Sequence, residues 1–144
     1  MLKDAPDHLD ADLILKLYEL RREEVLRAAR EELTRDFWPT DAKDAVAVLR
    51  RDHPLNRAYR QVSTYWEMVY RMGRYGIIHG DFLVENNAEG LLLFAKVEPY
   101  LKEIRAAANP ASFQNAEWVA TEVPVGRAVA ERMRARVKKE LGGK

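Results

Sequence analysis

Residues 78–86 are the part of this chain that is most similar to a catalytic loop, both in the types of side chain and in their spacing. His79 and Gly80 precede Asp81, and Asn86 follows Asp81 at an interval of five residues. Phosphoryl-transfer loops use this spacing because the Asp accepts the proton of the substrate hydroxyl and the Asn binds a metal ion beside the phosphate. The segment therefore raises the question of whether the chain transfers phosphate.

This short segment resembles the catalytic loop of aminoglycoside phosphotransferases, but the parts that should accompany it are absent. Residues 91–97 contain no acidic side chain, although a second metal-binding Asp should follow the loop. The residues before the segment follow helical periods rather than forming a Lys-bearing strand and a Gly-rich phosphate loop. We therefore predict that Asp81 is the N-cap of a helix.

Arg74 and His79 form a second potential catalytic pair. Their spacing resembles the Arg-x4-His motif of HEPN ribonucleases, which are also small helical bundles. The resemblance implies that both side chains would act on RNA from one helix face. Gly76 lies between them, however, and predicts a helix end with Gly76 in the left-handed conformation. Tyr75 also stands where that family usually has a small polar residue.

Metal and cofactor sites have little support in the sequence. The chain has no cysteine, which excludes thiolate ligands and disulfides. No histidine is paired with another at an interval of three or four residues; the three are His8, His53 and His79. Asp7 and Asp10 suit the first turn of a helix as N-cap or dipole partners. We predict no catalytic residue, no metal ligand and no cofactor.

Nucleic-acid binding is the main alternative function. Residues 50–75 carry basic side chains interleaved with rings, which are Arg50, Arg51, Arg57, Arg60, Arg71, Arg74, Tyr59, Tyr65, Trp66, Tyr70 and Tyr75. Basic groups could contact phosphates while rings stack on bases. Most of the rings, however, fall on the apolar face of a helix. The net charge of +1 is also modest. This alternative predicts salt-dependent retention on RNA or DNA, weakened by Arg71→Ala or Arg74→Ala.

The periodicity of apolar residues predicts helices throughout the chain. The pattern repeats at intervals of three and four residues and never alternates as in a strand. Pro39 and Pro54 mark boundaries, and Pro99 predicts a kink. The predicted helices cover about 7–37, 41–51, 55–74, 88–108, a short segment capped by Ser112, and a last helix from Gly126.

Composition indicates one globular domain over residues 1–144, with frayed ends at 1–6 and 142–144. Of 144 residues, 47% are hydrophobic and 33% are charged, which is typical of a folded chain. We predict an all-α fold, an irregular bundle of four main helices and two short ones. No run approaches the roughly 18 apolar residues of a membrane span, and the first residues lack a signal-peptide core. We therefore expect a cytoplasmic protein.

Residues 55–120 resemble a bacterial helical family of unknown function. The resemblance rests on Tyr65-Trp66-Glu67, on Arg74-Tyr75-Gly76-Ile77-Ile78 with Asp81, and on Pro99-Tyr100-Leu101 with Arg105. It implies an all-helical fold and no particular activity. Members often have an N-terminal membrane segment, which we do not expect in this chain.

The first helix is the most promising interaction surface. Its apolar positions spread beyond one stripe, because Ile14, Leu15 and Tyr18 lie beside Leu13 and Leu17. Such a wide face is covered either by the rest of the bundle or by a second copy of the chain. We predict a protein-interaction or homo-oligomeric module without catalytic activity, whose partner is another protein or a second copy of the chain in a homodimer.

Overall fold

The computed structural model describes residues 2–142, and within this part of the chain the fold is all-α, as predicted. No strand occurs among these residues. The helices are α1 (His8–Arg22), α2 (Glu24–Asp36), α3 (Ala42–Ala47), α4 (Asn56–Arg74), α5 (Gly80–Asn86), α6 (Gly90–Val97), a 3-10 turn (Glu98–Tyr100), α7 (Leu101–Ala107), α8 (Gln114–Glu122) and α9 (Pro124–Gly142).

Helix α1 begins where the acidic residues predicted it would. The side chain of Asp7 accepts hydrogen bonds from the backbone N–H groups of Leu9 and Asp10, at 3.0 and 3.1 Å. The side chain of Asp10 in turn accepts a hydrogen bond from the backbone N–H of Asp7 at 3.3 Å. This reciprocal capping box satisfies N–H groups that have no partner inside the helix.

The predicted long helix over 7–37 is wrong, because the chain breaks at Glu23 into α1 and α2. Glu23 has φ −56° and ψ 140°, outside the helical region, and its carboxylate caps α2 by accepting from Val25 and Leu26 at 3.0 Å each. The break turns α2 so that Ala29 and Leu33 reach the core beside α4. Apolar periodicity missed it, because Glu is also a common residue inside helices.

Helix α4 is the centre of the fold and packs against α2, α5, α6 and α8. Its buried rings include Tyr65 and Tyr70, and each hydroxyl donates to a backbone carbonyl of another element. The hydroxyl of Tyr65 donates to the carbonyl of Leu17 at 2.6 Å, and that of Tyr70 donates to the carbonyl of Asn87 at 2.8 Å. These bonds satisfy the polar end of each buried ring, which a core requires.

The end of α4 confirms the prediction for Gly76. Gly76 has φ 74°, and the N–H of Ile77 donates to the carbonyl of Met72 at 2.9 Å. Together with the bond from Gly76 to the carbonyl of Gly73, this is a Schellman motif. The anchoring side chain is Ile78, which is fully buried, whereas Ile77 is 50% exposed.

The predicted helix over 88–108 is divided into α6, the 3-10 turn and α7. The interruption lies at Pro99, in agreement with the predicted kink. Every residue of α6 is buried, including Lys96, whose ammonium donates to the carbonyl of Leu33 at 3.1 Å. Of the three tryptophans, Trp66 is buried, and Trp38 and Trp118 are partly buried.

Two smaller predictions need adjustment. The helix predicted over 41–51 ends at Ala47, and its cap is Asp41, which accepts from the N–H of Asp44 at 2.7 Å. The predicted frayed ends include Met1, Gly143 and Lys144, which lie outside the described residues. Lys3, within the other frayed segment, is bound to Asp10.

Between residues 2 and 142, no helix combines the length and apolarity needed to cross a membrane.

Gly90 is a position where the packing of α4 on α6 tolerates no side chain. A Cβ atom there would lie 2.7 Å from Trp66 and would also meet the hydroxyl of Tyr70. We expect Gly90→Ala to lower the free energy of unfolding by about 1–3 kcal/mol, because rings in the core would have to move. Urea denaturation would measure this change.

The matched control is Gly142→Ala, since nothing lies within 4 Å of a Cβ atom at Gly142. We expect this variant to stay within about 0.5 kcal/mol of the original chain. Equal stability of the two variants would contradict the close approach of α4 and α6 at Gly90.

Candidate functional site

The phosphotransferase-like segment forms a helix start in the structure, and its residues serve separate hydrogen bonds. His79 is the N-cap of α5, and its Nδ1 accepts from the N–H of Phe82 at 3.2 Å. The prediction that Asp81 is this N-cap is therefore wrong. Asp81 lies in the first turn of α5 and accepts from the N–H of Val125 at 3.0 Å, thereby capping α9. The amide of Asn86 donates to the carbonyl of Phe82 at 2.9 Å.

The two potential catalytic motifs supply four residues, Arg74, His79, Asp81 and Asn86. Only two of them, His79 and Asp81, line the cavity beside this segment. A cavity of about 170 Å³ is lined by His79 and Asp81, together with Lys3 and Glu122. Neither Arg74 nor Asn86 lines it. His79 and Asp81 thus share this cavity without Asn86, the residue that would bind the metal ion in a phosphoryl-transfer loop.

The ribonuclease-like pair is divided by the turn at Gly76, as the sequence predicted. Arg74 ends α4 and donates to the side-chain oxygen of Asn115 at 3.3 Å. His79 lies beyond the turn, and its backbone N–H donates to Asp10 at 3.3 Å. The two side chains thus belong to different helices and different hydrogen-bond networks.

The rings of the nucleic-acid alternative lie mostly in the core. Tyr59, Tyr65, Trp66 and Tyr70 are all buried, so they cannot stack on bases. Tyr75 is 68% exposed, with the guanidinium of Arg74 5.9 Å from its ring centroid. Among the rings of residues 50–75, Tyr75 is therefore the one that the structure leaves available for stacking.

Asp10 is a buried carboxylate that ties the N-terminal segment to the turn before α5. It accepts from the ammonium of Lys3 and from the backbone N–H groups of Asp7 and His79. Burial alone would raise the pKa of Asp10, but these donors outweigh it, and the pKa lies below its ordinary value. Asp10 is therefore charged in the folded protein.

A cavity of about 410 Å³ lies between α4 and the segment that joins α7 to α8. One wall is formed by four residues of α4 at intervals of four, which are Tyr59, Ser63, Glu67 and Arg71. The opposite wall includes Asn109, Ser112, Phe113 and Gln114. Apolar periodicity did not predict this row of side chains, because Tyr59 belongs to the apolar face of α4, whereas Ser63, Glu67 and Arg71 belong to its polar face.

Glu67 fixes the position of α8 beside this cavity. Its two carboxylate oxygens accept from the backbone N–H groups of Asn115 and Ala116, at 3.2 and 2.8 Å. Burial raises the pKa of Glu67, and the backbone donors oppose that effect. The prediction that Ser112 caps this helix is wrong, because the N-cap position is Phe113 and a carboxylate from α4 supplies the acceptor.

The segment before α8 is held in a strained conformation. Phe113 has φ 61°, a left-handed conformation that costs a residue with a Cβ atom of order 1–3 kcal/mol. Its ring is buried, 6.2 Å from the ring of Tyr59. Arg105 holds the segment from the other side, donating to the carbonyl of Ser112 and to Glu117 at 3.0 Å each.

The wide apolar face of α1 is only partly covered by the bundle. Ile14 and Leu17 are buried in the core. Leu9 and Leu20 are 58% and 51% exposed, and Leu13 is partly buried between them. We name this edge, which also carries the exposed Lys16, the α1 stripe: Leu9, Leu13, Lys16 and Leu20. On the opposite edge of the helix, Leu15 and Tyr18 are exposed.

Potential metal ligands do not converge in the part of the chain that the structure describes. No group of three His, Asp or Glu side chains there could hold a metal ion. His8 and His53 lie apart from the segment that contains His79, the first at the start of α1 and the second before α4.

Asp10 should give the protein part of its stability at neutral pH. Because its pKa is lower in the folded state than in the unfolded state, its contribution is present above its ordinary pKa and is lost as the pH falls through the lowered value. We expect Asp10→Asn to lower the free energy of unfolding by about 1–3 kcal/mol at neutral pH. We also expect a shallower loss of stability on acidification than in the unmodified chain.

Urea denaturation at a series of pH values measures both effects. Asp52→Asn is the matched control, because Asp52 is exposed and its ion pair with Arg50 lies at the surface. Parallel pH profiles for the original chain and Asp10→Asn would contradict the assigned role of Asp10.

Comparison with known proteins yields one match. A domain family of unknown function, DUF4760, matches residues 6–123, which extend from the start of α1 to the residue before α9. Neither the curated proteins nor the solved structures contain a match to this chain. The match confirms the resemblance to an uncharacterised family that the sequence indicated. Because it covers most of the chain, this protein belongs to the DUF4760 family.

Proposed function

We propose that this protein is a non-catalytic interaction module that self-associates through the α1 stripe. The observation that carries this proposal is a row formed by two exposed leucines, Leu9 and Leu20, with the partly buried Leu13 and the exposed Lys16, beside the face of α1 that is anchored in the core. Its four positions fall within about 60° of one another around the helix, at about 100° per residue. Exposed apolar patches that are rimmed by polar residues mark interaction sites.

The spacing of the stripe fits a second copy of the same helix. The intervals from Leu9 to Leu13, Lys16 and Leu20 are four, three and four residues, the same in either direction. A two-fold axis between positions 14 and 15 would place Leu9 opposite Leu20 of the second copy. The same axis would place Leu13 opposite Lys16 of the second copy. Two-fold interfaces require this kind of self-complementarity.

Charge favours the same antiparallel arrangement. Asp12 and Lys16 lie close to the proposed axis, so that Lys16 of each copy would lie near Asp12 of the other. The methylene groups of Lys16 would cover Leu13, while its ammonium stays at the edge of the interface. The ends of α1 also differ in charge, since Asp7 precedes it and Arg22 ends it. Antiparallel helices bring these opposite charges together.

The size of the surface indicates a weak, concentration-dependent dimer. Helix α1 has 15 residues and is therefore about 22 Å long. One pair of helices of this length buries less than the roughly 1,200–2,000 Å² of a standard stable interface. We expect a dissociation constant of the order of micromolar.

The use of polar groups in the fold supports a role without catalysis. His79, Asp81 and Glu67 each accept hydrogen bonds from the backbone at the start of a helix. Those side chains are thus occupied by structural contacts. The absence of cysteine fits a reducing compartment, and on that ground we place the module in the cytoplasm.

Sedimentation equilibrium over a wide range of concentrations tests the proposal. We expect a monomer–dimer equilibrium in the original chain. Leu20→Glu should weaken it by about tenfold or more, because it places a charge opposite Leu9 of the second copy. Lys16→Glu should also weaken it, and adding Asp12→Lys in the same chain should restore dimerisation, since the two charges exchange places.

Ile77→Glu is the matched control, because Ile77 is similarly exposed but lies in the turn after α4. It should leave the equilibrium unchanged. A chain that stays monomeric at every concentration, or equal effects of Leu20→Glu and Ile77→Glu, would refute self-association through the α1 stripe.

A further inference from the structure

The cavity between α4 and residues 108–114 is lined by a buried tyrosine whose hydroxyl the fold does not use. Tyr59 is 5% exposed, and no described residue forms a hydrogen bond with its hydroxyl. The other two buried tyrosines of α4 differ, since Tyr65 and Tyr70 both donate to backbone carbonyls. Of these three hydroxyl groups, that of Tyr59 is therefore the one that the fold leaves without a protein partner.

The unused hydroxyl faces the cavity. Within residues 2–142, no side-chain nitrogen or oxygen is both sealed from solvent and without a partner. The Tyr59 oxygen must therefore touch open space, and the cavity is the space that Tyr59 lines. Burial also raises the pKa of Tyr59, so the hydroxyl keeps its proton and can donate it to an acceptor.

The other end of the cavity carries the positive charge of Arg71, which opposes the rise in the pKa of the neighbouring Glu67. Arg71 lies twelve residues after Tyr59 on α4, which corresponds to about 18 Å along the helix axis. It is exposed, and no hydrogen bond or ion pair involves it in the described part of the chain. The neighbouring carboxylate of Glu67 is occupied by the start of α8. An anion at this end would therefore meet Arg71.

The wall of the cavity is apolar beside the hydroxyl, whereas Ser63 and Glu67 line it between Tyr59 and Arg71. Leu49, Phe113 and the ring of Tyr59 line the cavity on the side of the hydroxyl. Its volume, about 410 Å³, lies within the range of roughly 300–1,000 Å³ that small-molecule sites occupy. The backbone of Phe113 in this wall has a strained, left-handed conformation. Strain of this kind is concentrated at binding and catalytic sites.

We propose that this cavity binds a small organic carboxylate with an apolar body and a second oxygen at its far end. The carboxylate pairs with Arg71, the apolar body lies against Leu49 and Phe113, and the distant oxygen accepts a hydrogen bond from Tyr59. The site shares no residue with the α1 stripe, and so it stands independently of self-association.

Three probes of similar length separate the two polar contacts. 10-Hydroxydecanoate carries both polar ends, decanoate lacks the hydroxyl, and 1,10-decanediol lacks the carboxylate. Titration of the ¹⁵N-labelled protein, followed by amide chemical shifts, gives the affinity and the location of binding. We expect shifts at residues 59–71 and 108–114, with 10-hydroxydecanoate binding about tenfold more tightly than either analogue.

Two variants assign the contacts. Tyr59→Phe should bring 10-hydroxydecanoate to the affinity of decanoate, because the hydrogen-bond donor is gone. Arg71→Gln should bring it to the affinity of the diol, because the charge is gone. Arg57→Gln is the matched control on the same helix, since Arg57 lines a different groove, against α2, and it should leave all three affinities unchanged.

Ser63→Leu tests the cavity itself, because it fills the space between Tyr59 and Arg71 without changing either. It should abolish binding of all three probes, with the helical circular dichroism spectrum retained. If Ser63→Leu does not fold, the affinities measured for Tyr59→Phe and Arg71→Gln still test whether the probes bind in this cavity. The proposal fails if the three probes bind equally, if neither variant alters their order, or if the shifts fall on α1; water alone would then satisfy Tyr59.

Discussion

The contact on which much of this structure depends is the pair of hydrogen bonds from the start of α8 to the carboxylate of Glu67. A helix that begins without a capping side chain of its own has unpaired backbone N–H groups, and burying them is costly. Glu67 supplies the acceptors from the middle of α4, 48 residues before Asn115. This contact sets where α8 begins, and thereby positions Phe113 and the wall of the large cavity.

The same solution is used at α9, where Asp81 of α5 accepts from the N–H of Val125. Together with His79 at α5, these contacts explain why a segment with the side chains of a catalytic loop has a structural role. A carboxylate or imidazole that accepts from the first turn of a helix gains a charge-assisted or dipole-favoured bond. The groups that remain uncommitted lie elsewhere, on the α1 stripe and in the cavity beside Tyr59 and Arg71.

Sequence reasoning succeeded where the cause is local. The period of α4, the capping box at Asp7, the left-handed Gly76 and the interruption at Pro99 each depend on residues within a few positions of one another. It failed at the break at Glu23, because one residue leaving the helical region does not disturb an apolar period. It also failed for the cap at Ser112, because the acceptor at the start of α8 comes from α4. At Asp81 it failed because the nearby His79 caps α5, while Asp81 accepts from the distant Val125.

By itself, then, the sequence determined the helical class, the extent of α4, most of the buried rings and the absence of thiol chemistry. It also contained the palindromic spacing of the α1 stripe. Only the tertiary structure decided which apolar positions of α1 stay exposed, and which buried tyrosine lacks a partner. Periodicity reports which face of a helix is apolar, whereas the partner of each polar group depends on elements that folding brings together from more than forty residues away.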